Sequence, residues 1–311
     1  MTTPLNGLGS KDTGSLWPPV GFGLGRLTGK RAIVTGAGSR PEARKEYIGI
    51  GAATALAMAL EGAEVTIVDL DETALAKTAR WAAEIGLDLT PVLADVSKEG
   101  DCQRAVATAS GSRGALDILV NNAGIRGRER SVTEVDSDAW TNLLKVNVTS
   151  MALTCKHAVP VMRAQGGGSI INLSSIAAIR GAGGPSYSAS KGAVVSLTTQ
   201  IAASHGRDGI RANTVLPGHV DTPMAELAAT MADVAATTAD PRHQVSMLGT
   251  PGNAWDVANA VVFLGSDAAR WITAVTLPVD AGSTMIGGLA MLNLLDADER
   301  QRRQAKEEVG R

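Results

Sequence analysis

Cysteine is scarce: Cys102 and Cys155 stand far apart, outside any CxxC or Cys/His cluster. That argues against a disulfide framework or a zinc site and for two free thiols in a cytoplasmic protein. Excess charge is missing too, with a formal net charge of −2. Nucleic acid and anionic membranes normally need a basic face, so neither is expected as a partner. There is no run of about eighteen apolar residues and no basic N-terminal stretch followed by an apolar one, so neither export nor anchoring is expected. His219 and His243 lack metal-ligand spacing and read as polar loop residues.

The remaining composition is ordinary for a globular chain, 44% hydrophobic and 19% charged over 311 residues. That leaves room for one large α/β domain or two small ones. Residues 1–28 are rich in Gly, Pro and Ser, with Trp17-Pro18-Pro19 followed by Gly21, Gly23 and Gly25, and read as an extended arm. From there β-branched runs of strand length alternate with Ala/Leu-rich stretches of helix length. Strands are expected at 32–35, 64–68, 88–93, 117–120, 169–173, 211–216 and 275–279. Helices are expected near 50–61, 72–85, 99–109, 138–164, 187–205 and 254–264. This alternation specifies βαβ crossovers, hence a single Rossmann-type, doubly wound parallel sheet of about seven strands over residues 29–282. Residues 223–250, rich in Ala and Met, break the rhythm where a substrate lid would sit. Residues 283–311 form a C-terminal extension whose charged end reads as a solvated helix.

Thr35-Gly36-Ala37-Gly38 closes the first strand and Gly49-Ile50-Gly51 opens the next helix. Glycine lets the backbone approach a pyrophosphate, and the helix N-terminus offers N–H groups and a positive dipole end. Gly36, Ser39, Arg40 and Ile50 are therefore expected on the cofactor. The spacing is abnormal, because residues 39–48 separate the two halves and carry Arg40, Arg44 and Lys45. Asp69 ends the second strand, where an acid can accept the adenosine ribose hydroxyls and repel a 2′-phosphate, which favours NAD over NADP. Two alternatives stand beside it: Asp69 caps the helix from Glu72, or the inserted cations reach a 2′-phosphate and favour NADP.

Together with Asp95-Val96, Asn121-Asn122-Ala123-Gly124 and Tyr187-Ser-Ala-Ser-Lys191, these motifs occur in family order, and the chain from about Leu27 to Gly282 resembles the short-chain dehydrogenase/reductase family. The resemblance implies Asp95 and Val96 at the adenine and Asn122, Ala123 and Gly124 along the dinucleotide. It also implies Pro217, Gly218, Val220 and Thr222 at the nicotinamide. Asn147, in the middle of the long fourth helix, would link Lys191 to water. A homo-oligomer, tetramer or dimer, is implied as well, packed through the helices near 138–164 and 187–205. Three departures stand out: the interrupted glycine turn, Asp280-Ala281-Gly282 in place of a second glycine, and a Ser-to-Tyr interval one residue short.

Tyr187 and Lys191, four apart on a helix, project from one face. A free phenol titrates near ~10, so acid/base work around neutrality needs a fall of about 2 to 3 units, roughly 3 to 4 kcal/mol. Lys191 and a nicotinamide's positive charge can supply it. Tyr187 is then the proton donor and acceptor for a carbinol or ketone. Ser174 or Ser175 would donate to the substrate oxygen: the strand end favours Ser175, the interval to Tyr187 favours Ser174, and Ser175 is chosen because loops shorten more easily than strand ends shift. Thr222 serves the nicotinamide carboxamide, or N-caps a lid helix with Pro223 at its first position.

The substrate is expected to be a small secondary alcohol or ketone. Arg126, Arg128 and Arg130 read as a solvated loop, with an anionic substrate as the alternative. Leu227, Met231, Val234 and Met247 suggest an apolar substrate body or core. The rival functions are an NADP-dependent carbonyl reductase and an isomerase or lyase using bound NAD without net turnover.

Overall fold

A computed structural model describes residues 21–39, 47–225, 246–250 and 252–296. Arg40, Arg44, Lys45, Leu227, Met231, Val234, His243, the arm 1–20 and the charged end of the chain lie outside the described residues.

Seven strands form one parallel sheet: β1 (Arg31–Thr35), β2 (Glu64–Asp69), β3 (Leu89–Leu93), β4 (Ile118–Asn121), β5 (Gly168–Leu173), β6 (Ile210–Pro217) and β9 (Thr276–Val279), in the order β3-β2-β1-β4-β5-β6-β9. The central strands are apolar runs rather than alternating ones, as a sheet covered on both faces requires; β1, β4 and β5 bury nearly every residue. The buried apolar residues form two clusters. One joins the sheet to α1 (Ile50–Leu60), α2 (Glu72–Glu84) and α7 (Ala254–Gly265). The other joins it to α3 (Glu99–Ser110), α5 (Ser150–Ala164) and α6 (Pro185–His205). Because β1 pairs with both β2 and β4, the strand order reverses at β1/β4, and a crevice opens beyond their carboxyl ends.

Two expectations and one alternative need correction, and one element is new. The helix expected at 138–164 is two helices, α4 (Ser137–Leu144) and α5, joined by a π-helical turn, Lys145–Thr149, with Asn147 inside it. A π-helical turn is defined by i→i+5 bonding and has no residue signature of its own, so it was not read from the sequence. The helix from Glu72 is capped by Asp71, which accepts from Ala74 N, and not by Asp69. Residues 21–28 are not an extended arm: Leu27 is fully buried, Phe22 stacks edge-on against Trp255, and the Glu61 carboxylate accepts from the backbone N–H groups of Gly23 and Arg26. A small parallel pair, β7 (Val220–Asp221) with β8 (Gly252–Asn253), flanks the segment expected to be a lid and was not anticipated.

Candidate active site

The two halves of the glycine turn meet despite the insertion between them. Gly36 has φ +65°, and a Cβ there would lie 2.7 Å from Ala123 Cα; a Cβ on Gly51 would overlap the Gly36 carbonyl oxygen. Only glycine at both positions lets α1 approach the end of β1. The crevice floor is stapled from β4: Asn122 Nδ2 donates to the carbonyls of Thr35 (3.1 Å) and Gly36 (2.8 Å). Thr35 Oγ1 accepts from Asn122 N (3.1 Å) and Ala123 N (3.2 Å). Ile50 is the first residue of α1, whose N-cap, Gly49, contributes no side-chain bond, leaving first-turn N–H groups for an anion.

Asp69 closes the turn, accepting from Gly38 N at 2.9 Å and Asp71 N at 3.2 Å. Ser39 is fully buried; its N–H is bonded to Ala74 O and Thr78 Oγ1, yet its hydroxyl has no hydrogen-bond partner among the described residues. A buried orphan hydroxyl beside a glycine cradle fits a site built for a polar ligand. At the β3 end, Asp95 accepts from Ser97 N (3.0 Å), and Val96 is buried behind it. Burial pushes the Asp95 carboxyl up, but the Ser97 hydrogen bonds and the Lys98 charge outweigh it and hold the group below its usual range.

On the other side of the crevice, Pro217 ends β6, and Gly218 packs so closely on Asp280 that a Cβ would lie 2.6 Å from the Asp280 Cβ. Val220 lies in β7, and Thr222 is buried, its hydroxyl accepting from Ala225 N at 3.3 Å. That is the capping arrangement read for Thr222, with Pro223 first in the turn that follows.

Between these halves lies a polar cluster. Lys191 is 4% exposed, donates from Nζ to Leu173 O at 2.9 Å and has no ion-pair partner among the described residues. Burial alone pulls its pKa down to about 8. Its Nζ sits 5.6 Å from the centre of the Tyr187 ring. Burial pushes the Tyr187 phenol up, opposed by a hydrogen bond from Ser175 and the charge of Arg126, and the net direction is upward. Without ligand, each member of the pair is therefore biased toward its neutral form.

The serines divide. Ser174 Oγ donates to Lys191 O at 2.7 Å and is buried, whereas Ser175 Oγ accepts from Ala177 N at 3.2 Å and is the serine whose hydroxyl pulls against the rise in the Tyr187 pKa. Asn147 is completely buried, not solvent-facing. It accepts from Ile125 N (2.7 Å) and donates to Ile125 O (2.9 Å) and Ser190 Oγ (3.0 Å). Ser190 Oγ in turn donates to Tyr187 O at 2.7 Å. Asn147 does not touch Lys191 directly. Gly124 fronts the space between them, where a Cβ would lie 3.3 Å from Asn147 Oδ1 and 3.5 Å from Lys191 Nζ.

Of the three loop arginines, Arg126 places its guanidinium 5.4 Å over the Tyr187 ring. Sequence reading missed other contributors. The Glu129 carboxylate receives the N–H and hydroxyl of Ser186 and pins the start of α6. Beneath the site a buried chain runs from Thr154 to Asn121 (2.6 Å), Asn172 (2.9 Å) and Thr198 (2.9 Å), clamping α5 and α6 to β4 and β5. Polar residues inside strands read as core were the available signal.

A doubly wound sheet with a glycine-rich turn at its switch point and a Ser/Tyr/Lys cluster beyond β5 defines a class of nucleotide-dependent oxidoreductases. A family model described as enoyl-(acyl carrier protein) reductase matches residues 46–284. The chain is 40% identical over 256 residues to cis-4-hydroxycyclohexanecarboxylate dehydrogenase of Sinomonas cyclohexanicum, covering 82% of this chain and 96% of that protein. It is 32% identical over 264 residues to levodione reductase of Leifsonia aquatica, covering 83% and 96%. Among solved structures, levodione reductase superposes with a TM-score of 0.78 at 31% identity, covering 84% of this chain and all of that one (100%). A short-chain type dehydrogenase/reductase from Mycobacterium ulcerans gives 0.75 at 30% identity, covering 84% and 92%. The chain belongs to the short-chain dehydrogenase/reductase family. It is an oxidoreductase acting on CH–OH groups with a nicotinamide cofactor. No helix among the described residues is long and apolar enough to cross a membrane.

Proposed function

We propose that the protein interconverts a ring-borne secondary alcohol and its ketone using NAD. The observation that carries this reading is the convergence of Ser175, Tyr187 and Lys191 beyond β5, beside the glycine cradle. When bound, the nicotinamide supplies or takes the hydride. Tyr187 takes the carbinol proton in oxidation and returns it to the ketone oxygen in reduction. Ser175, the serine that acts on the phenol, donates to the same oxygen and so places it within reach of Tyr187. Lys191 holds ribose hydroxyls and favours the phenolate through its charge, while Asn147 holds Ile125 and Ser190 at fixed distance around the pair.

The cofactor choice rests on Asp69. Its carboxylate faces the glycine turn, bonded to Gly38 N, where a 2′-phosphate would meet like charge. Pro217, Gly218, Val220 and Thr222 serve the nicotinamide end, Asp95 and Val96 the adenine end. The ring substrate is supported by two relatives whose names carry a six-membered carbocycle: the Sinomonas dehydrogenase, and 2,5-dichloro-2,5-cyclohexadiene-1,4-diol dehydrogenase of Sphingobium indicum, 35% identical over 258 residues.

Substituting Tyr187→Phe tests the reading. Steady-state formation of NADH from cyclohexanols should fall at least ~10³-fold while NADH affinity, read by fluorescence, stays within about twofold. Undiminished turnover would remove Tyr187 from the chemistry, and a higher kcat/KM with NADPH than NADH would overturn the cofactor assignment.

A further inference from the structure

The loop after β4 holds three arginines, and the structure separates them. All three are exposed, but among the described residues neither Arg128 nor Arg130 lies over an aromatic ring; the Arg130 backbone N–H is bonded to the Glu134 carboxylate. Arg126 instead lies against the face of Tyr187, with Cζ 5.4 Å from the ring centre, inside the range of a cation–π contact. It has no ion-pair partner among the described residues. The nearby acid of its own loop, Glu129, is engaged by Ser186 N and Oγ. A guanidinium held over the reactive phenol, open to solvent and without a carboxylate, presents a fork of N–H donors toward whatever occupies the pocket.

We infer that Arg126 is a specificity residue that binds an anionic group on the substrate, so that the preferred substrate is a hydroxy acid or keto acid whose carboxylate sits a few bonds from the carbinol. This rests on the reading of Ser175, Tyr187 and Lys191 as the alcohol site, which supplies the anchor at the other end of the substrate. The chemistry favours a carboxylate over a neutral polar group, because a planar guanidinium meets two carboxylate oxygens with two parallel hydrogen bonds. Lys191, also without an acid partner among the described residues, lies on the same ring, with Nζ 5.6 Å from its centre, and adds positive charge near Tyr187.

Equilibrium binding separates this inference from the catalytic assignment. Calorimetry on the NADH-loaded protein would use two unreactive probes, cyclohexanecarboxylate and cyclohexanecarboxamide. Wild type should bind the acid about 10- to 100-fold more tightly than the amide. Arg126→Met should erase most of that preference without weakening the amide, and Arg126→Lys should restore part of it. Tyr187→Phe keeps the ring face and should keep the preference while losing turnover, so a failure of the catalytic reading would show in turnover and leave the binding preference standing. Equal affinity for acid and amide in wild type, or an unchanged preference in Arg126→Met, overturns the inference. In turnover assays with wild type and Arg126→Met, the effect should fall on KM for the hydroxy acid; an equal loss of kcat for neutral and acidic alcohols would assign Arg126 to Tyr187 alone.

Discussion

The two ends of the parallel sheet treat charge in opposite ways. At the amino ends of the strands most of the cations are matched by acids. Arg31 pairs with Glu64 at 2.5 Å, Arg113 shares the same acid, and Lys30 pairs with Asp267 at 2.9 Å. Arg26 pairs with buried Glu61 at 2.7 Å. Arg211 is the exception: it donates to the carbonyls of Leu264 (2.7 Å) and Ile272 (3.2 Å), and burial disfavours its charge. The groove lined by Lys30, Arg31, Arg113, Arg211 and Asp267 is therefore largely neutralised. At the carboxyl ends, Lys191 and Arg126 lie around Tyr187 with no described acid to neutralise them, and the Ser39 hydroxyl has no partner. Buried or unpaired cations gathered around a phenol in a crevice in this way are a mark of function.

The largest test of this contrast is Lys191→Met. Burial lowers the Lys191 pKa from 10.5 to about 8, so the fold disfavours its charged form. A depressed pKa on a base means that the penalty is full below about pH 8 and gone above the unfolded value near 10.5. The shift corresponds to about 3 kcal/mol, less about 1 kcal/mol for the lost bond to Leu173 O. The variant should be about 2 kcal/mol more stable than wild type at pH 7, an advantage that vanishes as pH rises toward 10.5, while turnover falls roughly 10³-fold. Chemical denaturation across pH 6–10 reads the first, steady-state kinetics the second. A variant less stable than wild type at pH 7 would break the contrast.

At the opposite end, Glu61→Ala should do the reverse. Glu61 is fully buried and receives Gly23 N (3.1 Å), Arg26 N (3.0 Å) and the Arg26 guanidinium. Burial pushes its carboxyl up, but the Arg26 bonds and charge and the Gly23 N–H together pull it below its ordinary value. A depressed carboxylate contributes stability above the unfolded pKa near 4.5 and loses it as pH falls through the folded value. The substitution should cost about 2 to 3 kcal/mol at pH 7, with the gap to wild type closing in acid. kcat should be unchanged for the folded fraction. A fall in kcat would mean that the two ends are coupled.

The strands were legible from sequence, the ion pairs and packed turn at their amino ends were not, and the carboxyl end was legible in part. Strand runs such as Ala32-Ile33-Val34 fix the sheet by composition alone, and all seven strands fell within a residue or two of expectation. Tyr187, Lys191 and Asn122 could be found because they sit in short motifs with fixed spacing. The π-helical turn around Asn147 could not, because i→i+5 bonding has no residue signature of its own. Nor could the choice between Ser174 and Ser175: it depends on which hydroxyl turns toward Lys191 O, and two adjacent serines are equivalent in sequence. Arg126 stood out only as one of three loop arginines, since its place over Tyr187 is set by how the loop returns to α6.

The smallest test lies in two strained alanines, one at each end of β9. Ala274 (φ +60°) and Ala281 (φ +51°) both occupy the left-handed region that favours glycine. For Ala281 this bears on Asp280-Ala281-Gly282, where a second glycine was expected by resemblance: the backbone conformation there is one that favours glycine. Glycine at either site relieves about 1 kcal/mol of strain but loosens the unfolded chain by about 0.4 to 1 kcal/mol. Ala274→Gly and Ala281→Gly should therefore each leave stability within about 0.5 kcal/mol of wild type, a Tm change of no more than about 2 °C. Function should separate them. Ala274 N donates to Ala212 O within the body of the sheet, whereas Ala281 O accepts from Met247 N at 2.9 Å, holding the end of the segment 223–250 beside the crevice. Loosening that hold should raise KM severalfold in Ala281→Gly, and Ala274→Gly should leave KM unchanged. Equal kinetics in the two variants would remove Ala281 from the ligand-facing end.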